Sequence, residues 1–475
     1  MNTTFGSRMR EGGAVLLVIL AIATALRVWR LDAPLWLDEV LMLHDFVEGP
    51  LVKTITTYPT DNQHPLYSFS ASLAALVLGQ SAWAIRLPAV IFGLIGIAVA
   101  YTLGRRFLSR GGALWATALL ALSPHHIWFS QNARGYTALA LFAAVALDSW
   151  IDALQGSRRA AVVCGLALAL AVWTHLTGVF VAAGLGLSWC VALMSMRAGA
   201  PPSPSGRNGA CVTALALGAV GAILLHAPMI GDMVVFFTGP KAPRPVSAWR
   251  SPWWTVEELL RGIGSGSAIL GGIIAALGGA SVVAGAIQIR KRVSGFTVAA
   301  LSPVLLAPIV TFALGRHLWP RFFFAQAIPL ALLATSGLAS AAARWLPAHI
   351  TGRLAMASLF ALTPLIPGVY ATKQDFPAAK AFIEQRRAAT EDVSAVGTAY
   401  WACGYLYAPE YRGANDIDAL AATLDRPGRS WVMSASPIFV SAYRPAIHRA
   451  LENRCDRVAV YPSALGDVEV YRERE

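Results

Sequence analysis

Two adjacent carboxylates, Asp38 and Glu39, stand in the stretch LWLDEV directly after a long apolar run. Ionisable groups at the edge of an apolar segment are costly to desolvate, and such a pair therefore reads as functional. Neighbouring residues cannot share one helical face, so the two acids divide the work. Asp38 suits a general base, and Glu39 suits the orienting of a partner or a metal. The plainer role for either is a helix cap or an arginine partner. A second cluster, SPHHIWFSQNARGY, brings His125, His126, Gln131, Asn132, Arg134 and Tyr136 within a dozen residues. A third, RHLWPRFF, supplies Arg316, His317 and Arg321. Guanidinium groups bind phosphate oxygens in pairs, which makes an anionic ligand the natural partner of these arginines. His64 precedes Pro65 in HPLYS, which favours an extended backbone at a helix start. Glu39 and His64 are the candidates for a divalent metal, although two donors are few for one.

The elements that must position these groups are membrane helices. Of 475 residues, 56% are hydrophobic and 13% charged, and the mean hydropathy is +0.55; a soluble domain carries about a quarter charged residues. The formal charge of +12 would suit nucleic acid in a soluble chain. Here the arginines fall between apolar runs, as the positive-inside rule expects, and nucleic acid is not an expected partner. The first apolar run, AVLLVILAIATALRVW, reads as a retained anchor because no small-residue cleavage site follows it. Further spans are expected at about 87–104, 111–127, 135–154, 160–177, 178–196, 210–230, 266–288, 296–315, 322–343 and 354–371, about eleven in all.

The segment from His64 to Gly79 is apolar but short, and charge parity decides its path. If it does not cross, the loops carrying Arg105, Arg106 and Arg110, then Arg158 and Arg159, then Arg197 and Arg207, then Arg290, Lys291 and Arg292, then Arg344 and Arg353 share the side of Arg8 and Arg10. If it crosses, every one of those basic loops moves to the opposite side, against the rule. It is therefore expected to lie against the outer face or re-enter from it. Asp38, Glu39, His64, the SQNAR segment, THLTG at 174–178, the connection from Asp232 to Gly262 and RHLWPRFF then gather on the outer side.

After about Tyr370 the pattern changes. FPAAKAFIEQRRA reads as helix, and DVSAVG, WVMSAS, RVAVYP and DVEVYRE read as strands. Residues 373–475 are expected to form a small α/β domain on the outer side, following a membrane domain over 1–372 with a catalytic outer loop at about 31–80. In that oxidising space a Cys403–Cys455 disulfide is open. No C-x-x-C spacing supports a zinc or redox motif, and APPSPSGRNG at 200–209 reads as a cytoplasmic linker.

The strings LWLDEV, HPLYS, SAWAIRLPAVIFGLIGIAVAYTLGRRF, LLALSPHHIWFSQNARGYTALALF, WTHLTG and PRFFFAQAIPLALLA, in this order, resemble the membrane glycosyltransferases of the GT-C fold. The likeness is to the group of protein mannosyltransferases and lipid A aminoarabinose or galacturonic acid transferases, and it runs from about residue 10 to 340. It implies a polytopic α-helical protein of about 11–13 spans that moves a sugar from a polyprenyl-phosphate carrier to an acceptor hydroxyl of a glycan, lipid or protein. The family's acidic residue of the first outer loop falls on Asp38, with Glu39 beside it. Arg134, Arg316, Arg321 and His64 are the expected phosphate ligands, and Gln131, Tyr136, His317 and Tyr67 the expected substrate contacts. One proline of the family's H-P-P-L is missing, and Asn132 stands where the family has an acid. The implied location is a bacterial inner membrane, with the N-terminus cytoplasmic and the C-terminal domain outside. A transporter or flippase of lipid-linked sugars would bind the same phosphate, but it needs access from both faces, and no internal repeat is present.

Overall fold

A computed structural model describes residues 5–197, 206–239, 252–263, 267–290, 293–314, 317–345 and 347–475. Arg316, Lys291, Arg292, most of the 200–209 linker and part of the 232–262 connection lie outside the described residues. Among the described residues, seven helices are long and apolar enough to cross a membrane: Gly6–Val28, Ala82–Gly104, Tyr136–Ala153, Arg207–Thr238, Ala268–Arg290, Gly295–Ala313 and Pro320–Arg344. The helices Arg110–Leu122, Arg158–Thr174, Gly178–Arg197 and Ala348–Leu362 lie where the remaining spans were expected. Their starts carry readable signals. Ser109 and Ser157 each accept a hydrogen bond from the amide three residues on, while Ser123 does the same ahead of Pro124 at the first helical position.

The bundle has two chemically distinct ends. At one, Arg8 pairs with Asp148 at 3.3 Å, Arg106 with Asp148 and Asp152 at 2.5 and 2.7 Å, and Arg105 with Glu11 at 2.6 Å. The other end holds Asp38, His64, Arg134, His175 and Arg321. The helix Pro65–Leu78 starts at this second end, and its Tyr67, Ala71 and Ala75 pack with Ile85 and Ala89 at the start of Ala82–Gly104. It therefore begins and finishes at the same end of the bundle. Tyr67, an expected substrate contact, is corrected to a structural residue. Pro88 has no N–H and its ring loosens the turn before it; the Tyr67 hydroxyl donates to the Ile85 carbonyl at 2.7 Å and the Thr137 hydroxyl to that of Ala89 at 2.9 Å.

The C-terminal residues form a five-stranded sheet in the order β2-β1-β3-β5-β4. The strands are β1 Val393–Gly397, β2 Arg412–Gly413, β3 Trp431–Ala435, β4 Cys455–Tyr461 and β5 Val468–Glu473. β1 runs parallel to β2 and β3, and β5 runs antiparallel to β3 and β4. Every residue of β1 and β3 is buried, as expected of strands covered on both faces. One face packs Phe376, Ala379 and Ile383, and the other packs Leu420, Leu424, Ile447 and Leu451. The disulfide expectation is corrected here. Cys403 belongs to the first core and Cys455 to the second, and both are free thiols.

Where two membrane helices meet backbone to backbone, glycine sets the distance. A Cβ on Gly337 would lie 1.9 Å from the Ser281 carbonyl oxygen, and one on Gly285 1.9 Å from that of Leu333. Gly337→Leu is expected to force Ala268–Arg290 away from Ala327–Trp345 and to cost about 3 kcal/mol, the upper range of overpacking. The thermal unfolding midpoint in detergent measures this. Gly278→Leu, where a Cβ meets nothing within 4 Å, is the control and should leave the midpoint in place.

Candidate active site

The loop after the first helix is pinned by one arginine. Arg86, at the start of Ala82–Gly104, is 1% exposed and uses all five of its N–H groups. Two go to Glu39, at 2.8 and 2.5 Å, and three to the carbonyls of Leu31, Ala33 and Pro34, at 2.9, 2.7 and 3.1 Å. Glu39 is fully buried and also accepts from the amides of Ala133 at 2.7 Å and Trp36 at 3.3 Å. A carboxylate has about four lone-pair positions, and four donors occupy them. Burial pushes the Glu39 acid upward, but the Arg86 charge, the Lys373 charge and these hydrogen bonds overcome it and hold the pKa at about 2. The part expected of Glu39 is therefore revised. It holds the loop, and it has no free lone pair for a substrate or a metal.

Asp38, one residue earlier on the helix Leu37–Met42, faces the other way. Its side chain is 19% exposed, and Oδ2 lies 3.9 Å from Arg134 Nη2 and 3.7 Å from Arg321 Nη1. Both distances are longer than tight ion pairs, so the arginines surround the carboxylate without consuming it. Asn62 fixes this geometry: its Nδ2 donates to the Asp38 carbonyl at 3.2 Å, and its own carbonyl and side-chain oxygen accept from Arg134 Nη1. Arg321 stacks over Trp319 at 4.6 Å, and His317 packs against Trp319 and Trp254 at 4.3 and 5.0 Å.

His64 completes the wall. Its Nδ1 accepts the Gly135 amide at 3.1 Å, so the ring proton sits on Nε2, which has no partner in the buried site. Burial, with Arg134, His175 and Arg321 nearby, keeps the imidazole well below its ordinary pKa and hence neutral. The His64 ring meets those of Tyr136 and His175 at 5.1 and 4.8 Å. The metal expectation for Glu39 with His64 does not fit this arrangement. Glu39 is saturated, His64 presents a proton rather than a lone pair, and no group of three or more His, Cys, Asp or Glu side chains comes together among the described residues.

Gln131 was expected to touch substrate, and the structure gives it another task. Its Nε2 donates to the carbonyls of Arg27 at 3.1 Å and Trp29 at 2.6 Å, capping the end of the first helix. Four residues outside the expected set prove central: Asn62, Arg86, His175 and Lys373. Arg86 and Lys373 were detectable as basic groups outside the loops in which the charge rule gathers arginines. Lys373 Nζ donates to the Gln131 carbonyl at 2.8 Å and to Asn132 Oδ1 at 2.5 Å. Burial lowers its pKa to about 7 despite the Glu39 charge.

Arg86→Met leaves the Glu39 carboxylate buried and unpaired, at an expected cost of about 3–5 kcal/mol, read as a lower unfolding midpoint. The pH dependence has a defined sign. Because the folded pKa of Glu39 is depressed, its contribution is complete above the ordinary value of 4.5 and is lost as the pH falls toward 2. The wild-type midpoint should drop over that acid range, and Glu39→Gln should flatten the drop.

Residues 62–201 match the family described as dolichyl-phosphate-mannose-protein mannosyltransferase. A search of curated protein sequences returned no match. Among solved structures, ArnT from Cupriavidus metallidurans in its apo state is 16% identical, with 96% of this chain and 97% of that one covered and a TM-score of 0.54. The same protein bound to undecaprenyl phosphate is 17% identical, with the same coverage and TM-score. The archaeal oligosaccharyltransferase AglB from Archaeoglobus fulgidus, in complex with an inhibitory peptide and a dolichol-phosphate, is 13% identical, with 98% of this chain and 74% of that one covered and a TM-score of 0.61. At these identities the likeness is one of architecture, and it extends over the sheet domain as well as the helices. The chain has the GT-C fold of membrane glycosyltransferases.

Proposed function

We propose that this chain transfers a sugar from a polyprenyl-phosphate carrier to an acceptor hydroxyl on the outer face of a bacterial inner membrane. The observation that carries the reading is the Asp38 carboxylate set between Arg134 and Arg321, with the unpartnered Nε2–H of His64 on the same wall. An acceptor hydroxyl is a weak nucleophile, and Asp38 is the group to take its proton. As the anomeric C–O bond to the carrier breaks, charge grows on the departing phosphate. Arg321, Arg134 and the neutral His64 donor are aimed at that charge from a largely desolvated wall, where fixed donors act most strongly. In-line attack inverts the anomeric centre through an oxocarbenium-like state. Arg134 and Arg321 turn from Asp38 to phosphate when the carrier binds, which frees the base at the step that needs it.

An apolar groove of about 600 Å³ supports the carrier reading. Leu168, Val172, Leu176, Leu215, Ile223 and Val234 line it, and Leu176 follows His175 of the site wall. A polyprenyl tail fits this setting, with its phosphate at the charged end. Transport across the membrane is disfavoured because Asp38, Arg134 and Arg321 gather at one end of the bundle, while Asp148 and Asp152 at the other are engaged by Arg8 and Arg106.

Asp38→Asn is expected to keep fold and carrier binding while lowering transfer by about 10²–10⁴-fold. Mass spectrometry of membrane lipids and surface glycans from cells bearing wild-type or variant protein reads donor and acceptor together, and unchanged glycans in the variant would remove Asp38 as base. Arg321→Ala is expected to weaken binding of a polyprenyl phosphate by about tenfold or more, measured by titration.

A further inference from the structure

The helix bearing Asp38 is only six residues long, too short to hold its own position. The membrane bundle grips one side of it through Arg86. The other side is gripped by the sheet domain. Gln374 Oε1 accepts the Leu37 amide at 2.9 Å, and Tyr407 donates its hydroxyl to the Leu35 carbonyl at 2.7 Å. The Leu37 side chain packs into the core of the sheet domain, and the His44 ring stacks on Tyr405 with centroids 3.8 Å apart. These contacts bracket Asp38 on both sides along the chain.

The sheet itself is arranged for this contact. In open α/β sheets the ligand crevice lies beyond the carboxyl ends of parallel strands, where the connections diverge. Here that place is the end of β1 and β3, at Thr398 and Ser436. Their hydroxyls meet at 3.0 Å, and Gln374 Nε2 donates to Ser436 Oγ at 3.3 Å. The crevice thus receives a side chain from the chain's own linker, and the far end of the same amide holds the Asp38 helix. Ser436 keeps a φ of +57°, a conformation that costs a non-glycine residue free energy and is retained where the surroundings enforce it.

We propose that the C-terminal α/β domain positions the Asp38 carboxylate against Arg134 and Arg321, with Gln374 and Tyr407 as the positioning residues. The domain works as a clamp on the first outer loop, and its strand-end crevice serves as the socket for the clamp. The proposal rests on the transferase reading for its kinetic consequence, but its structural consequence is independent of that reading.

Hydrogen–deuterium exchange on the full chain in detergent tests it with Gln374→Ala and Tyr407→Phe. The amides of residues 35–42 should exchange about tenfold faster, while those of Ala82–Gly104, β1 and β3 keep their protection. Transfer kcat should fall by about tenfold or more, the scale of a misplaced catalytic group, with affinity for a polyprenyl phosphate within about twofold of wild type. Gln374→Glu, which still accepts the Leu37 amide, should restore protection of the loop. Unchanged exchange at 35–42 overturns the clamp, as does a loss of protection spreading through β1 and β3 or an equal loss of carrier affinity and turnover. A wild-type chain that transfers no sugar, yet whose variants loosen only at 35–42, overturns the transferase reading and leaves the clamp in place.

Discussion

The site depends on one buried ion pair. Arg86 and Glu39 are both withdrawn from water, and such a pair is stable only when every remaining donor and acceptor is met. Here the five N–H groups of Arg86 find Glu39 and three loop carbonyls, and the four lone-pair positions of Glu39 find Arg86 and two amides. The loop from Leu31 to Glu39 is therefore fixed to the membrane bundle and to Ala133 of the SQNAR turn by one network. With Glu39 turned inward, its neighbour Asp38 is turned outward toward Arg134 and Arg321. The adjacency of two acids is thus a device for pointing one of them.

Charge is handled in opposite ways at the two ends of the bundle. At the end bearing Arg8, the acids Glu11, Asp148 and Asp152 are each met by an arginine at close range. At the end bearing Asp38, two guanidinium groups share one carboxylate at long range, and the nearby histidines are held neutral by burial. The excess of cationic donors there is unspent electrostatic capacity, available to an anion.

Much of this was legible in the sequence because the signals are local. Apolar runs gave the helices, and Pro65–Leu78 forms as the short helix that its string suggested. The strand-like strings of the tail became β1, β3, β4 and β5. Arg321 and Arg134 stood out as guanidinium groups on a side where few are expected. What was not legible depends on partners far away in the chain. Nothing in LWLDEV says that Glu39 meets Arg86 or that Asp38 meets Arg321. Gln131 has the chemistry of a ligand contact, and only the exposed carbonyls of Arg27 and Trp29 make it a cap. Tyr67 looked like a substrate group because the carbonyl loosened by Pro88 lies 18 residues away. Lys373, at the boundary expected between the domains, turned out to be bonded into the SQNAR turn.

The hydrogen bond from the Leu37 amide to Gln374 spans 337 positions of sequence. During synthesis the carboxylate loop emerges early, and its partner appears only after the whole helical bundle has been made. A chain made as far as the last helices thus carries Asp38, Arg134 and Arg321 but lacks the piece that closes on them. Assembly of the site becomes a late event of biogenesis, because the acid loop gains its second grip only once residues 374 and 407 have followed the helices.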